Sequence, residues 1–273
     1  MTECSTLRLE FEGHGRREVM AGFDGGRITS DAGALLLREV ECRFGVVREF
    51  ALAFTDYRDP DRIEFSVEEL LRQRVMGLAL GYEDLNDHDQ LRNDPLLALA
   101  CGRDDITGQQ RRQPDDRGQP LAGKSTLNRL ELTPVGANDQ SRYKKIVASI
   151  DQLQRSLVDL FVRMQSQQQM SAQQQMSAQQ QMPAQQPAAP EELVLDLDAT
   201  DDPVHGDQLG KFFHGYYKSY CFLPLYIFCG HWPLLAQLRP ADIDGAAGTV
   251  EQLQRIVSQL RETWPEVRII IRG

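Results

Sequence analysis

The stretch LVLDLDATDD, Leu193–Asp202, alternates leucine with valine and aspartate and then breaks into a pair of acids. A period of two puts Leu193, Leu195 and Leu197 on one face of a β-strand and Val194, Asp196 and Asp198 on the other. Along such a strand Asp196 and Asp198 stand roughly 6.6–7 Å apart. Carboxylates at a strand end are a common way to hold Mg²⁺, a hard ion that prefers oxygen ligands and keeps several waters. Phosphodiester chemistry often uses two such ions about 3.5–4 Å apart to stabilise the attacking and leaving oxygens. Spacing alone leaves a second reading open, in which Asp201-Asp202-Pro203 is a turn and the strand aspartates are merely solvated.

Downstream, Ser219–Phe228 and Trp232–Leu238 are two apolar runs joined by a tight turn at Cys229-Gly230-His231. Pro224 demotes part of the first run to an edge or a bulge. Thr249 and Gln252 can cap a helix whose apolar stripe is Val250, Leu253, Ile256, Val257, Leu260 and Trp264. A short strand, Val267–Ile271, follows Pro265. The helix supplies a crossover, so this last strand can lie parallel to the first. The order predicts an α/β fold with a mixed sheet over residues 191–273.

Upstream, residues 165–190 read QSQQQMSAQQQMSAQQQMPAQQPAAP, nearly three copies of QQQMSA ending in Pro and Ala. Methionine every six positions matches neither a helix nor a strand face, and the tract buries little apolar surface to offset its ordering entropy. The segment reads as a flexible linker or insertion. Residues 1–164 read as mainly helical. Ser30 or Asp31 can cap a helix through Ala34–Val40, and Ser66 with Glu69 forms a capping box ahead of Leu71, Val75 and Leu78. Ser125 or Thr126 can start a short helix with Leu127 and Leu130. From Gln140 onward Tyr143, Ile146, Val147, Ile150, Leu153, Leu157, Leu160, Phe161 and Met164 fall on a helical stripe. Leu7, Leu9 and Phe11 alternate briefly as a strand, and Thr107–Gly123 is a polar, turn-rich loop.

Composition narrows the function classes. The 273 residues carry a net charge of −10, which excludes a uniformly basic coat but not a local basic face. No apolar run reaches the roughly 18 residues of a membrane span, and Met1–Gly25 is too charged for a signal peptide. The five cysteines are scattered without a CxxC pair, so a disulfide framework is not expected and the chain reads as cytoplasmic. Gly118-Gln-Pro-Leu-Ala-Gly123-Lys124-Ser125 has the spelling of a phosphate-binding loop. The polar residues Arg111–Arg117 ahead of it cannot form the buried strand such a loop needs. His205, His214, Cys221, Cys229 and His231 match no common zinc spacing. For nucleic-acid contact, Arg111, Arg112, Arg117, Lys124, Arg129, Arg142, Lys144 and Lys145 outnumber the four acids among them. A smaller patch interleaves Lys211 and Lys218 with Phe212, Phe213, Tyr216 and Tyr217. A solvated face is the other reading of either patch, and the commoner one.

Four separated stretches, taken in order, resemble the DDE transposases of bacterial insertion sequences, most closely the insertion sequence 1380 family. They are FDGGRITSDAGALLLREVE (Phe23–Glu41), GYEDLNDHDQLRNDP (Gly81–Pro95), STLNRLE (Ser125–Glu131) and LDLDATDDPVHG (Leu195–Gly206). The likeness spans nearly the whole chain apart from the Gln-rich segment. It implies an RNase H-like catalytic domain, here residues 191–273, and Mg²⁺-dependent cleavage and strand transfer at the terminal repeats of the element. It makes Asp198, in Asp198-Ala199-Thr200, the first catalytic carboxylate and metal ligand, with Asp196 the second choice. It implies that residues 1–164 bind DNA ends or serve self-association, through itself or a full-length transposase, with no membrane partner. The DNA contacts would come from Arg111, Arg112, Lys124, Arg129, Arg142, Lys144, Lys145, Lys211 and Lys218. In the family pattern the second carboxylate ends the strand after the crossover helix, and the third follows later. Here that strand is Val267–Ile271 and the sequence closes at Gly273, so the expectation is a truncated transposase, inactive alone. A non-catalytic DNA-end-binding protein that interferes with full-length transposase is the alternative.

Overall fold

The computed structural model describes residues 8–23, 29–180 and 189–273. Leu7, residues 24–28 of the first motif and residues 181–188 of the Gln-rich tract lie outside the described residues. The chain divides into two compact units, Met1–Ser149 and Ile150–Gly273. Helices and a mixed sheet together make it an α/β protein.

The first unit opens with a hairpin, β1 (Arg8–His14) and β2 (Arg17–Gly22), of which the sequence signalled only the first strand. Helices α1 (Ala34–Phe44) and α2 (Val46–Ala51) follow, then β3 (Phe54–Asp56) and α3 (Val67–Ala79). Two short helices, α4 (His88–Leu91) and α5 (Pro95–Ala100), precede a long loop, α6 (Lys124–Glu131) and β4 (Ile146–Ala148). The Ser66–Glu69 capping box forms in full at the start of α3. At α1 the cap position belongs to Gly33 with no side-chain bond, because the Asp31 carboxylate instead accepts from the Tyr82 hydroxyl at 2.9 Å.

The helical stripe read from Gln140 is corrected in its first part. Ile146–Ala148 forms β4, antiparallel to β3, with Thr55 opposite Val147. A helix there would leave β3 unpaired, and the strand sends Ile146 into a core with Phe65, Leu70, Leu127 and Leu130. Helix α7 starts only at Ile150 and runs to Gln180, through the first part of the segment read as a linker. Once a helix is nucleated by packing, Gln, Met and Ala propagate it at little cost. Its stripe places Val158 and Phe161 in the core of the second unit, so residues 150–164 group with that unit rather than with the helices before them.

In the second unit β5 (Glu192–Ala199), β9 (Leu225–Cys229), β10 (Trp232–Gln237) and β11 (Arg268–Arg272) form one sheet in the order β10-β9-β5-β11. The β10/β9 and β9/β5 pairs are antiparallel, and β11 lies parallel to β5 with Ile271 opposite Leu195. Helix α8 (Thr249–Thr263) makes the crossover. Leu193, Leu195, Leu225 and Ile227 face Phe161 of α7 and Ile256 and Leu260 of α8 across one core. A slip of register between Pro233 and Leu235 lets the consecutive residues Leu234 and Leu235 both point inward, which strict alternation forbids. Phe161 stacks edge-on against Trp264 at 6.0 Å. A separate three-stranded sheet, β6 (Asp202–Pro203), β8 (Ser219–Phe222) and β7 (Phe212–His214), leaves the end of β5. Pro224 breaks the run between β8 and β9, so that one apolar stretch serves two sheets.

Candidate active site

The acidic residues of β5 lie on the face turned away from the core. Leu193 and Leu195 are buried below, Asp196 is half-buried above, and Asp198 is exposed near the strand's C-terminal end. Asp198 stands opposite Tyr226, and Asp196 opposite Phe228 on one side and Arg272 on the other. The Arg272 guanidinium clasps Asp196 through both carboxylate oxygens, its Nη2 donating to Oδ2 at 2.8 Å. That bidentate pair occupies the oxygens a metal ion would use. Asp198 carries no such counter-cation among the described residues. Its free carboxylate fits a hard cation as one donor; Asp196, held by arginine, does not fit as a second. Among the described residues no group of three or more His, Cys, Asp or Glu side chains is placed to hold a metal ion. The five His and Cys residues weighed as a zinc set are likewise not gathered, and Cys221 is buried among Leu223 and Ala241 as a small hydrophobe.

Two residues build the floor of this strand end: Tyr217, which the sequence offered only as a ring of the basic-aromatic patch, and Arg239, which sequence reasoning missed. The Tyr217 hydroxyl donates to the Ala199 carbonyl at 3.4 Å, and burial together with the nearby Asp201 and Asp198 carboxylates raises its pKa. Arg239, buried, spends its guanidinium on three carbonyls: Leu223 at 2.9 Å, Ala247 at 2.6 Å and Gly245 at 3.1 Å. The loop so held brings Gly245 against Ala199, where an added Cβ would sit 3.7 Å from the alanine methyl. A lone arginine between Leu238 and Pro240 was the only signal, and nothing local distinguishes it from a surface charge.

The basic residues divide by what they already hold. Arg111 is corrected as a DNA contact: it is buried, paired with Glu64 and Asp116, bonded to the carbonyls of Gln119 and Leu121, and stacked 4.7 Å over Phe65. A buried cation with two carboxylate partners belongs to the scaffold. Lys124 is half-exposed but pairs with Asp89 at 3.0 Å and donates to Asn86. Arg112 donates to the Asp61 carbonyl from an exposed position, and Arg129 is half-buried on α6. Arg142, exposed over Tyr143, stands with half-buried Lys144 and Lys145 just ahead of β4. Lys211 and Lys218 lie in the second unit, flanking β7 and its turn.

The string Gly118–Ser125 does not form a phosphate cradle. A 3₁₀ turn, Pro114–Asp116, precedes it in place of a strand. The amide of Gly118 donates to Gly108, that of Leu121 to Arg92, that of Ala122 to Gln73 and that of Lys124 to Asp89, so the donors a phosphate needs are consumed. The same bonds explain the second motif. Gln73 donates its amide N–H groups to the Ala122 carbonyl at 2.8 Å and to Nδ1 of His88 at 3.1 Å, while its oxygen accepts from the Ala122 amide. Fully buried His88, the centre of the Gly81–Pro95 stretch, therefore helps to seat the start of α6. Asp84 and Asp94 of that stretch accept backbone N–H groups at the starts of a 3₁₀ turn and of α5.

Among the described residues no helix is long and apolar enough to cross a membrane, and the four described cysteines are free. Among curated proteins and solved structures none matches the chain. The family model described as transposase DDE domain group 1 matches residues 11–273, nearly the full length. Its members generally use divalent metal ions and act on DNA. An acidic strand end beside a parallel crossover strand, carried on an α/β unit inside that match, fits the same assignment: the chain belongs to the transposase DDE domain group 1 family.

Proposed function

We propose that this chain is a transposase of the insertion sequence 1380 type. Its second unit is built on the RNase H-like plan, and Asp198 is the first carboxylate of a Mg²⁺ site for DNA cleavage and strand transfer at the terminal repeats of an element. The observation that carries this reading is the strand end itself. Asp198 is exposed and uncompensated on β5, and the parallel strand β11 brings Gly273 against Leu197, one residue from it. Parallel strands joined by a helix deliver their C-terminal ends to one edge, where side chains of both can meet a ligand. Asp198 would help to hold the ion. Bound there, Mg²⁺ would supply stabilisation of charge on the attacking and leaving oxygens of the phosphodiester. Tyr217 and the loop held by Arg239 fix the backbone on which Asp198 stands.

Asp196 is a positioning residue in this reading, since its carboxylate anchors β11 through Arg272. That leaves Asp198 as the one acid of β5 without a cation partner among the described residues, and one carboxylate binds catalytic Mg²⁺ poorly. Residues 1–273 assayed alone therefore should not nick DNA. Purified protein incubated with terminal-repeat duplexes and Mg²⁺ tests this: metal-dependent nicking that disappears in Asp198→Ala would refute the inactivity.

The same observation favours a second reading, a DNA-end-binding protein that interferes with full-length transposase in the cytoplasm. The first unit, with Arg112, Arg129, Arg142, Lys144 and Lys145, would then carry the contact or a self-association. A gel-shift competition with no preference for terminal repeats over random duplex removes it.

A further inference from the structure

The small sheet that leaves the acidic strand end exposes more aromatic surface than its own stability requires. Its core is only Cys221, Leu223 and Ala241, with Tyr217 and Ile243 packed on them. Meanwhile Phe213 is 56 %, Tyr220 56 % and Tyr216 83 % exposed, and Leu209 stands fully in solvent. Phe213 and Tyr220 face each other across β7 and β8, edge-on at 5.5 Å. Tyr216 sits in the turn, edge-on to Tyr217 at 5.0 Å. That turn is closed by the Lys218 amide donating to the His214 carbonyl at 2.8 Å, with Lys218 in the left-handed region at φ 54°. Nζ of Lys211 lies 5.6 Å over the Tyr220 ring while pairing with Asp207. Of the two lysines in the hairpin, Lys211 is thus paired with Asp207 and Lys218 has no carboxylate partner among the described residues.

Rings presented in solvent beside the unpaired Lys218 suit an occupant with flat faces and a charged backbone. Paired bases inside a duplex offer no such faces, whereas unpaired ones do. The sheet also begins four residues after Asp198, and the Tyr217 hydroxyl donates to the Ala199 carbonyl. We infer that the β7–β8 hairpin is a stacking platform for unpaired DNA bases, with Tyr216 and Tyr220 as the receiving rings and Lys218 at the backbone phosphates. The inference deepens the proposed function, because it supplies a place for strand ends opened next to the cleavage site.

The test reads binding without metal or cleavage. Fluorescein-labelled dT12 and a blunt duplex of equal length are titrated with the 273-residue chain in EDTA, by anisotropy. Tyr216→Ala and Tyr220→Ala are expected to weaken dT12 binding by roughly five- to a hundredfold, the worth of one stacked base, and to leave duplex binding unchanged. Tyr216→Trp should restore the affinity, with its indole fluorescence quenched when dT12 is added. Tyr216 is so exposed that its replacement leaves the fold intact, which circular dichroism verifies. Unchanged dT12 affinity in both alanine variants overturns the inference. So does loss of a concentration-dependent dimer in those variants, which would make the hairpin a contact between copies. Asp198→Ala should bind dT12 as the parent does, so a failure of the hydrolytic reading and a failure of this one are told apart.

Discussion

At the scale of single residues, His88 is the most informative side chain outside the acidic strand. Gln73 donates to Nδ1, so the ring is neutral and carries its proton on Nε2, which is buried with no partner. Burial, and then the Arg74 guanidinium, hold its pKa below the ordinary value. The unfolded chain takes up a proton as pH falls through about 6.5, while the folded chain resists until lower pH. Stability from this site is therefore complete above about pH 6.5 and lost as pH falls below it. Urea midpoints measured at about pH 7.5 and about pH 5 should show the drop, and it should shrink in His88→Asn. Gly77 is tied to the same ring, since a Cβ there would lie 2.9 Å from Cε1 of His88. Helix propensity favours alanine by about 1 kcal/mol, but overpacking costs about 1–3 kcal/mol. Gly77→Ala should lower stability by about 1 kcal/mol. A rise in the melting temperature would show that the ring can move aside.

At the scale of elements, β5 is defined twice, by its leucines below and by Asp196 above. Leu195 is fully buried between strands and helices, so Leu195→Ala should cost about 2–5 kcal/mol. The loop before α8 is anchored by Ala241 and Ile243 on a small core, and Arg239 adds three hydrogen bonds. Arg239→Ala leaves those carbonyls without their donor, and a loss of about 2–4 kcal/mol is expected in urea unfolding. Hydrogen exchange should speed up in the loop 240–248 before it does in β9, because two of the three carbonyls that side chain holds, Gly245 and Ala247, belong to the loop. The capping box at α3 and the crossover helix were legible from spacing, since both are local. The strand at Ile146–Ala148 was not, because its partner β3 lies about ninety residues away and only pairing distinguishes it from a helix of the same apolar content.

At the scale of the whole molecule, charge decides how it can meet DNA. Of the nine basic residues singled out, Arg111, Lys124 and Lys211 already pair with carboxylates. Six remain, and counterion release then limits the salt dependence of duplex binding to a slope of about −5 in log–log form. Arg142→Ala should reduce that slope by about 1. Arg111→Ala should instead lower thermal stability, because it takes from Glu64 its guanidinium partner, while Asp116 keeps Arg92. A slope much steeper than −5 would mean that other cations reach the phosphates.

The sequence by itself determined the alternation of β5, the crossover to a parallel last strand, the Ser66 cap and the family. Each of these rests on residues a few positions apart or on motifs read in order. Only the tertiary structure decided which charges are free. Asp198 and Asp196 are two residues apart and chemically identical, yet a strand more than seventy residues away brings Arg272 to one and nothing to the other. Arg111 and Arg112 are neighbours, and burial beside Phe65 makes one of them scaffold. The phosphate-loop spelling at Gly118–Ser125 fails for the same reason, its amides being consumed by partners far along the chain. A carboxylate, a guanidinium or an amide is available for chemistry only when folding has left it unpaired, and distant residues set that pairing.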